Sequence, residues 1–152
     1  LGQAVQIMSD LSESSKVRIV EEYQAPFDLI EVDRDELIQS VTNLLRNAIQ
    51  AVRVRGGDGR IHLRTQNLGG CFAVDVVDNG VGVAPENRDK LFEVQFSTKP
   101  KDEGTGLGLS ISRRLIRASG GDIVFVSSTP NHETVFRIQI PLKNSEQKHV
   151  AV

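Results

Sequence analysis

Asp78-Asn79-Gly80-Val81-Gly82 follows an apolar run that begins at Phe72, and this junction decides what the chain can be. The run predicts a strand in which residues 72, 74, 76 and 78 share one face. That face is apolar, so Asp78 is expected to point toward the core, whereas Asp75 points the other way and can be solvated. A carboxylate directed inward needs a hydrogen-bond donor or must become neutral. The segment is therefore either a ligand-binding turn, with glycines that allow close approach, or a turn that only ends the strand.

Upstream, Asn43-Leu44-Leu45-Arg46-Asn47 lies within a long predicted helix. Asp33 is expected to cap its start, with Glu36 in the capping-box position, and the helix should run to about Val54 and stop at Gly56-Gly57. Its apolar residues cluster on one face: Leu37, Val41, Leu44, Leu45, Ala48 and Val52. The two asparagines, four residues apart, stack on a neighbouring face about 130° from that stripe. Amide oxygens are hard, neutral ligands suited to Mg²⁺, so this pair is either a metal site or two solvated amides.

Downstream, a second helix is predicted to begin at Gly104-Thr105-Gly106-Leu107-Gly108-Leu109 and to stop at Gly120-Gly121. The backbone N–H groups at a helix start favour anions, so this glycine-rich start fits a polyphosphate. Its G-x-G-x-G spacing after a polar loop differs from a dinucleotide-binding turn, and the chain has no Gly-Lys-Ser/Thr of a P-loop. The buried stripe is predicted to be Leu107, Ile111, Leu115 and Ala118, with Arg113, Arg114 and Arg117 facing water or a partner.

The polar residues between these motifs, 83–104, predict a long loop with one short helix, and residues 83–103 are expected to behave as a lid. The loop contains Leu91-Phe92-Glu93 and approaches its end at Thr98-Lys99. Lys99 is either a phosphate contact or a solvated loop lysine. Near the end of the chain, Thr134 alternates with Phe136, Ile138 and Ile140 on the inward face of a predicted strand.

The remaining pattern indicates one α/β domain. A helix is predicted over residues 1–11, and strands are predicted near 17–19, 29–32, 60–66, 72–77, 122–127 and 134–141. Helices mixed with hairpin-type strands indicate a two-layer α/β sandwich, with one mixed, mostly antiparallel sheet and helices on one face. The 152 residues suffice for one hydrophobic core.

Composition excludes several classes of function. The net charge of −2 argues against a broad electrostatic grip on nucleic acid or an anionic membrane. The single cysteine, Cys71, excludes an internal disulfide and is interpreted as a packing residue. No apolar run approaches the length of a membrane-spanning helix, and the first residues do not resemble a signal peptide. His62, His132 and His149 lie outside the sequence context of a phosphoacceptor helix and are expected to be inert.

Together, the four motifs, over roughly residues 30–141, resemble the ATP-binding catalytic domain of sensor histidine kinases. That domain belongs to the wider fold family of gyrase, Hsp90 and MutL ATPases (the Bergerat-type fold). The resemblance implies that Asp78, with Gly80 and Gly82, binds adenine, and that Thr134 lies near it. It places the main Mg²⁺ contact on Asn47 and a supporting one on Asn43. The triphosphate is then expected to meet Thr98, Lys99 and the helix start, namely Gly104, Thr105, Gly106, Leu107 and Gly108.

Four positions depart from or refine the family pattern. Val94-Gln95 replaces the usual Pro-Phe after Phe-Glu, which bears on lid mobility. Gln50 stands where many relatives carry a basic residue, so one phosphate contact is in doubt. Asn43 stands where gyrase-like relatives carry the glutamate that activates water, and an amide cannot accept that proton. The resemblance therefore favours a kinase over a hydrolase.

The expected function is to position Mg-ATP for transfer of its γ-phosphoryl group to a histidine of a separate helical dimerisation domain, for relay to a response regulator. Residues 1–142 are expected to form the catalytic domain, with 1–20 leading from that helical domain and 143–152 forming a flexible tail. Dimerisation is expected only through the helical domain, and the location is expected to be cytoplasmic. Two alternatives stay open: a serine kinase of the anti-sigma-factor type, and a nucleotide-sensing module without transfer activity.

Overall fold

The computed structural model describes residues 1–25, 30–98 and 105–143. Its helices are α1 (Gly2–Ile7), α2 (Ser9–Ser14), α3 (Arg34–Arg55) and α4 (Gly108–Ala118), with a 3₁₀ helix at Pro85–Lys90. Its strands are β1 (Val17–Tyr23), β2 (Gly59–Leu68), β3 (Cys71–Asp78), β4 (Asp122–Thr129) and β5 (Glu133–Pro141). The strand predicted near 29–32 lies partly outside the described residues, and Ile30 forms only an isolated bridge with Leu142.

The five strands form one sheet in the order β1-β2-β3-β5-β4. β1 and β2 are parallel, and the other three pairings are antiparallel. The hydrophobic core lies between this sheet and the helices, with its largest helical contribution from α3. The predicted mixed, mostly antiparallel α/β fold is confirmed.

Helix α3 begins and ends where its sequence predicts. The Asp33 carboxylate accepts hydrogen bonds from the backbone N–H groups of Asp35 (2.8 Å) and Glu36 (3.0 Å). These bonds satisfy two of the donors that a helix start leaves unpaired. At the other end Gly56 adopts a φ of 75°, which few other residues tolerate. The predicted stripe is buried except for the half-buried Leu37, and Ile49 joins it. The face that carries Asn43 and Asn47, next to the buried stripe, lines the candidate site.

Helix α4 is rotated relative to the prediction. Its buried residues are Ser112 and Ile116, whereas Ala118 is exposed and Leu107, Ile111 and Leu115 are only half-buried. The rotation is fixed by Asp122 at the start of β4, which accepts paired hydrogen bonds from both Arg113 and Arg117. These guanidinium groups, Arg113 first, hold the pKa of Asp122 well below its ordinary value. Arg117 is exposed to water, as predicted, whereas Arg113 is half-buried over the Phe92 ring.

The expectation for Asp75 was also wrong. Asp75 faces away from the helices, as predicted, but it is only 4% exposed. Arg137 of β5 donates to both of its oxygens, at 2.7 and 2.9 Å, and Gln66 of β2 donates at 2.8 Å. Long polar side chains from the two adjacent strands thus cover the outer sheet face. These hydrogen bonds from Arg137 and Gln66 replace the contacts with water that the buried carboxylate lacks.

Candidate active site

A cavity of about 640 Å³ lies among α3, the ends of β3 and β5, the loop after the 3₁₀ helix and the start of α4. It gathers most of the residues that the sequence singled out. Nine of them line it: Asn43, Asn47, Asp78, Gly82, Thr98, Thr105, Gly106, Gly108 and Thr134. Gly80 and Leu107 do not line it, and Lys99 and Gly104 lie outside the described residues. Residues from 43 to 134 thus meet on one surface.

At one end of the cavity, Asp78 is 4% exposed, in agreement with its predicted inward direction. Burial raises its pKa to about 6, and the hydrogen bond that it accepts from the Gly80 N–H (2.8 Å) partly opposes this rise. The carboxylate is thus held where its charged form is poorly solvated. A ligand that offers an N–H donor from the cavity would stabilise the charged form.

The two glycines after Asp78 serve different contacts. A Cβ on Gly80 would lie 2.6 Å from the Ala51 carbonyl carbon, so this glycine lets the end of β3 pack directly on α3. The adjacent Val81 N–H donates to the Ala51 oxygen at 3.2 Å. Gly82 has a φ of 80°, and a Cβ there would lie 2.8 Å from the Ser128 hydroxyl oxygen. Gly80 lets the turn pack against α3, and Gly82 forms part of the cavity wall.

Asn43 of α3 faces the glycine-rich start of α4, and Asn47 lines the same cavity. The Asn43 amide nitrogen donates to the hydroxyl oxygen of Ser112 at 2.8 Å, and a Cβ on Gly108 would lie 3.9 Å from the Asn43 side-chain carbon. Among the described residues, no group of three or more histidine, cysteine or acidic side chains could hold a metal. The donor set here is neutral amide oxygen beside a helix start, where free N–H groups favour an anion. That set fits Mg²⁺ shared with phosphate oxygens rather than enclosed by protein.

The start of α4 is joined to the loop that precedes it. The Gln95 N–H donates to the Gly106 oxygen at 3.0 Å. Gly106 has a φ of 66°, and a Cβ on it would lie 2.5 Å from the Gln95 carbonyl carbon. The loop itself is anchored by Phe92, whose ring lies 4.4 Å from the Arg113 guanidinium carbon and packs edge-on against Phe136. These contacts hold the loop that contains Phe92 and Gln95 against the start of α4 at the cavity mouth.

Ser128 also belongs to the surroundings of the site, although no motif predicted it. Its hydroxyl lies 2.9 Å from that of Thr134, accepts a bond from the Val83 N–H at 3.0 Å, and belongs to β4. Arg88 donates to the Ser128 carbonyl oxygen at 3.1 Å. Ser128 therefore connects the buried Thr134 to the loop after Gly82. Nothing in the local pattern of β4 could have revealed this role, because it arises from strand pairing.

The chain is similar in sequence and in structure to proteins of known class. The chain belongs to the histidine kinase-, DNA gyrase B- and HSP90-like ATPase family, whose model matches residues 32–144. Within this family it is similar to the sensory histidine kinase/phosphatase NtrB of Escherichia coli O157:H7, with 36% identity over 135 residues. That match covers 84% of this chain and 38% of NtrB.

Solved structures agree. The catalytic domain of histidine kinase ThkA has a TM-score of 0.77 and 29% identity, with 92% of this chain and 88% of that one covered. Full-length ShkA in complex with AMPPNP has a TM-score of 0.78 and 28% identity, with 92% of this chain and 28% of ShkA covered. The predicted class, the ATP-binding catalytic domain of sensor histidine kinases, is confirmed, and membership of this ATPase family implies the use of a nucleotide. No helix in the described part of the chain is long and apolar enough to cross a membrane.

Proposed function

We propose that this domain binds Mg-ATP and positions the γ-phosphoryl group for transfer to a histidine on a separate helical dimerisation domain, from which a response regulator receives it. One observation carries the proposal: a single cavity joins a buried carboxylate, two amides on one helix face and a glycine-rich helix start. A carboxylate suits the adenine amine, amides suit the metal, and a helix start suits phosphate. The three kinds of group correspond to the three parts of Mg-ATP, namely the base, the metal and the phosphates.

We assign the adenine to Asp78, with Thr134 and Gly82 beside it. The exocyclic amine would donate to the carboxylate, which needs such a donor because it is buried. We assign Mg²⁺ to the oxygens of Asn47 and Asn43. Bound there, the ion would neutralise charge on the phosphate oxygens as transfer proceeds.

The triphosphate is assigned to the start of α4. Gly106 and Gly108 line the cavity there, and their lack of side chains leaves the backbone N–H groups accessible. Thr98 and Thr105, both exposed, present hydroxyl groups at the mouth. Lys99 and Gly104, outside the described residues, remain assigned to the same phosphates by the sequence alone.

Transfer to an external nucleophile suits the cavity better than hydrolysis. In the reaction, the bond from the γ-phosphorus to the bridging oxygen breaks, a bond to an imidazole nitrogen forms, and ADP leaves. Asp78 is the only carboxylate among the described residues that line the cavity, and it is committed to the Gly80 N–H and to the adenine end. Asn43 cannot accept a proton, so the described lining offers no general base for water.

Radiolabelled ATP tests the proposal. The chain alone is expected to bind Mg-ATP, to turn it over very slowly and to remain unlabelled. When the helical domain is added, a label that is lost in acid and stable in base is expected on its histidine. Rapid release of phosphate by the chain alone would contradict the kinase assignment. An acid-stable label on a serine of another protein would favour the anti-sigma-type alternative, and binding without any transfer would favour a nucleotide sensor.

A further inference from the structure

Arg46 lies on α3 immediately before Asn47, and its side chain is exposed where it lines the cavity. It is the only cationic residue among the described residues that line this cavity. The other polar side chains along the same stretch of helix, Asn43, Asn47 and Gln50, are neutral. The one charged group elsewhere on the described lining, Asp78, is negative when ionised.

This arrangement does not balance the negative charge of a bound nucleotide unless Arg46 takes part. A nucleoside triphosphate with one divalent cation keeps a net negative charge, and neutral amides do not compensate for it. An arginine guanidinium presents paired N–H donors in a plane, which matches two oxygens of a phosphate group. A cation at the phosphate end of the cavity would therefore stabilise the bound nucleotide directly.

The position of Arg46 on the helix suits that contact. At about 100° per residue, Arg46 lies about 60° from Asn43 around the helix axis and about 40° from Gln50. All three therefore belong to the arc that faces the cavity, and Asn43 contacts Ser112 near the start of α4. An arginine side chain on this arc, with its head in solvent, extends along the mouth of the cavity.

We propose that Arg46 contacts the phosphate chain of the bound nucleotide and acts as a nucleotide-specificity residue that favours triphosphate over dephosphorylated forms. The proposal rests on the function proposed above. Arg46 binds substrate through charge and is not a proton donor or acceptor. Its contribution falls on the phosphates alone, because adenine is held at the other end by Asp78.

The test compares Arg46→Gln with Arg53→Gln in this 152-residue chain. Arg53 is an exposed arginine of the same helix that does not line the cavity. Calorimetry would measure the affinity for Mg-ATP, Mg-ADP and adenosine. We expect Arg46→Gln to weaken ATP about tenfold, which is typical of a lost charge-assisted hydrogen bond, to weaken ADP less and to leave adenosine unchanged. Arg53→Gln is expected to bind all three as the unaltered chain does.

Arg46→Lys distinguishes the contribution of the positive charge from that of the paired N–H donors. It keeps the positive charge but loses the paired donors, so it should retain more ATP affinity than Arg46→Gln. ATP binding as weak in Arg46→Lys as in Arg46→Gln would contradict a contact made through charge. An equal loss of adenosine affinity would indicate a structural role and overturn the proposal. If the unaltered chain binds no nucleotide, the proposed function falls as well; if it binds ATP and Arg46→Gln matches Arg53→Gln, only this inference falls.

Discussion

The side-chain nitrogen of Asn43 in α3 donates a 2.8 Å hydrogen bond to the hydroxyl oxygen of Ser112 in α4. Ser112 is fully buried, so water cannot replace this partner. The bond joins the helix that carries the proposed Mg²⁺ ligands to the helix whose start is the proposed phosphate site. It also fixes the amide, because an amide whose nitrogen is held at Ser112 can offer a cation only its oxygen.

Ser112→Ala should therefore disturb metal-dependent binding more than folding. We expect Mg-ATP affinity to fall about fivefold, as for one neutral hydrogen bond, and metal-free binding to change less. Calorimetry with and without Mg²⁺ measures the difference. Ser110→Ala is the control, since among the described residues the Ser110 hydroxyl donates to the carbonyl of Leu107, just before α4, and does not bond α3. The same Mg²⁺ dependence in both variants would refute the coupling between the helices.

Asn47→Ala should abolish phosphotransfer in a protein that contains the helical domain. The variant removes the oxygen assigned as the main Mg²⁺ contact, and the metal carries much of the charge neutralisation in phosphoryl transfer. Histidine labelling measures the loss, and the exposed Arg53→Ala on the same helix serves as the control. Equal labelling with and without the Asn47 side chain would remove the metal assignment.

Asp78→Asn should stabilise the chain in the absence of nucleotide. The ordinary pKa of 3.8 rises to about 6 in the folded state, so between these values the folded state holds a proton that the unfolded state lacks. The contribution of Asp78 to the free energy of unfolding therefore increases as the pH falls from 6 to 4. Above pH 6 the buried charge lowers the free energy of unfolding by up to about 3 kcal/mol. The variant removes that cost. Urea unfolding at pH 8 should show the gain, which should shrink at pH 5.

Asp75→Asn is the contrasting control for that experiment. It makes the same chemical change in the same strand, but its carboxylate is paired with Arg137. Breaking the pair leaves a poorly satisfied guanidinium, so this variant should lose stability by about 3 kcal/mol or more. Two variants that shift stability in the same direction at pH 8 would contradict the assignment of Asp78 as a buried carboxylate without a cation.

Adenosine binding should weaken as the pH falls through 6. Protonation of Asp78 removes the acceptor that the adenine amine requires, and adenosine has no phosphate to titrate in this range. We expect the affinity to fall several-fold between pH 7 and pH 5, and Asp78→Asn to bind weakly at both values. Calorimetry over this range provides the measurement. A flat pH profile in the unaltered chain would separate adenine recognition from this carboxylate.

Local patterns predicted the parts of this molecule that depend on nearby residues. The cap at Asp33, the glycine stop at Gly56 and the inward direction of Asp78 each follow from a few adjacent positions. The wrong predictions concern residues whose partners are distant in the sequence. The burial of Asp75 depends on Arg137, 62 residues away in the chain, and the rotation of α4 depends on salt bridges to a strand that follows it.

The same distinction holds within the site. Motifs predicted nine of the residues on the cavity, whereas Ser128 was missed because it meets Thr134 only after β4 and β5 pair. Arg46 lies inside the asparagine motif, and its place on the cavity depends on the other elements that pack around α3. Pairing partners across a sheet and between helices carry no local signal in a single sequence.

Gly106→Ala should remove triphosphate binding while leaving adenosine binding largely intact. A Cβ at this position would lie 2.5 to 2.8 Å from Gln95 backbone atoms, so the start of α4 and the Gln95 loop could not keep their present contact. We expect a loss of ATP affinity of tenfold or more, since the N–H groups assigned to phosphate would move. Gly120→Ala provides the matched control, because Gly120 has a similar φ of 79° but nothing within 4 Å of its added carbon. That control should cost only about 1 kcal/mol of stability and leave nucleotide affinity unchanged.

Calorimetry with ATP and adenosine on both variants separates loss of the phosphate site from backbone strain. An equal loss of ATP affinity in Gly106→Ala and Gly120→Ala would assign the effect to backbone strain. Unchanged ATP affinity in Gly106→Ala would remove the phosphate site from the start of α4.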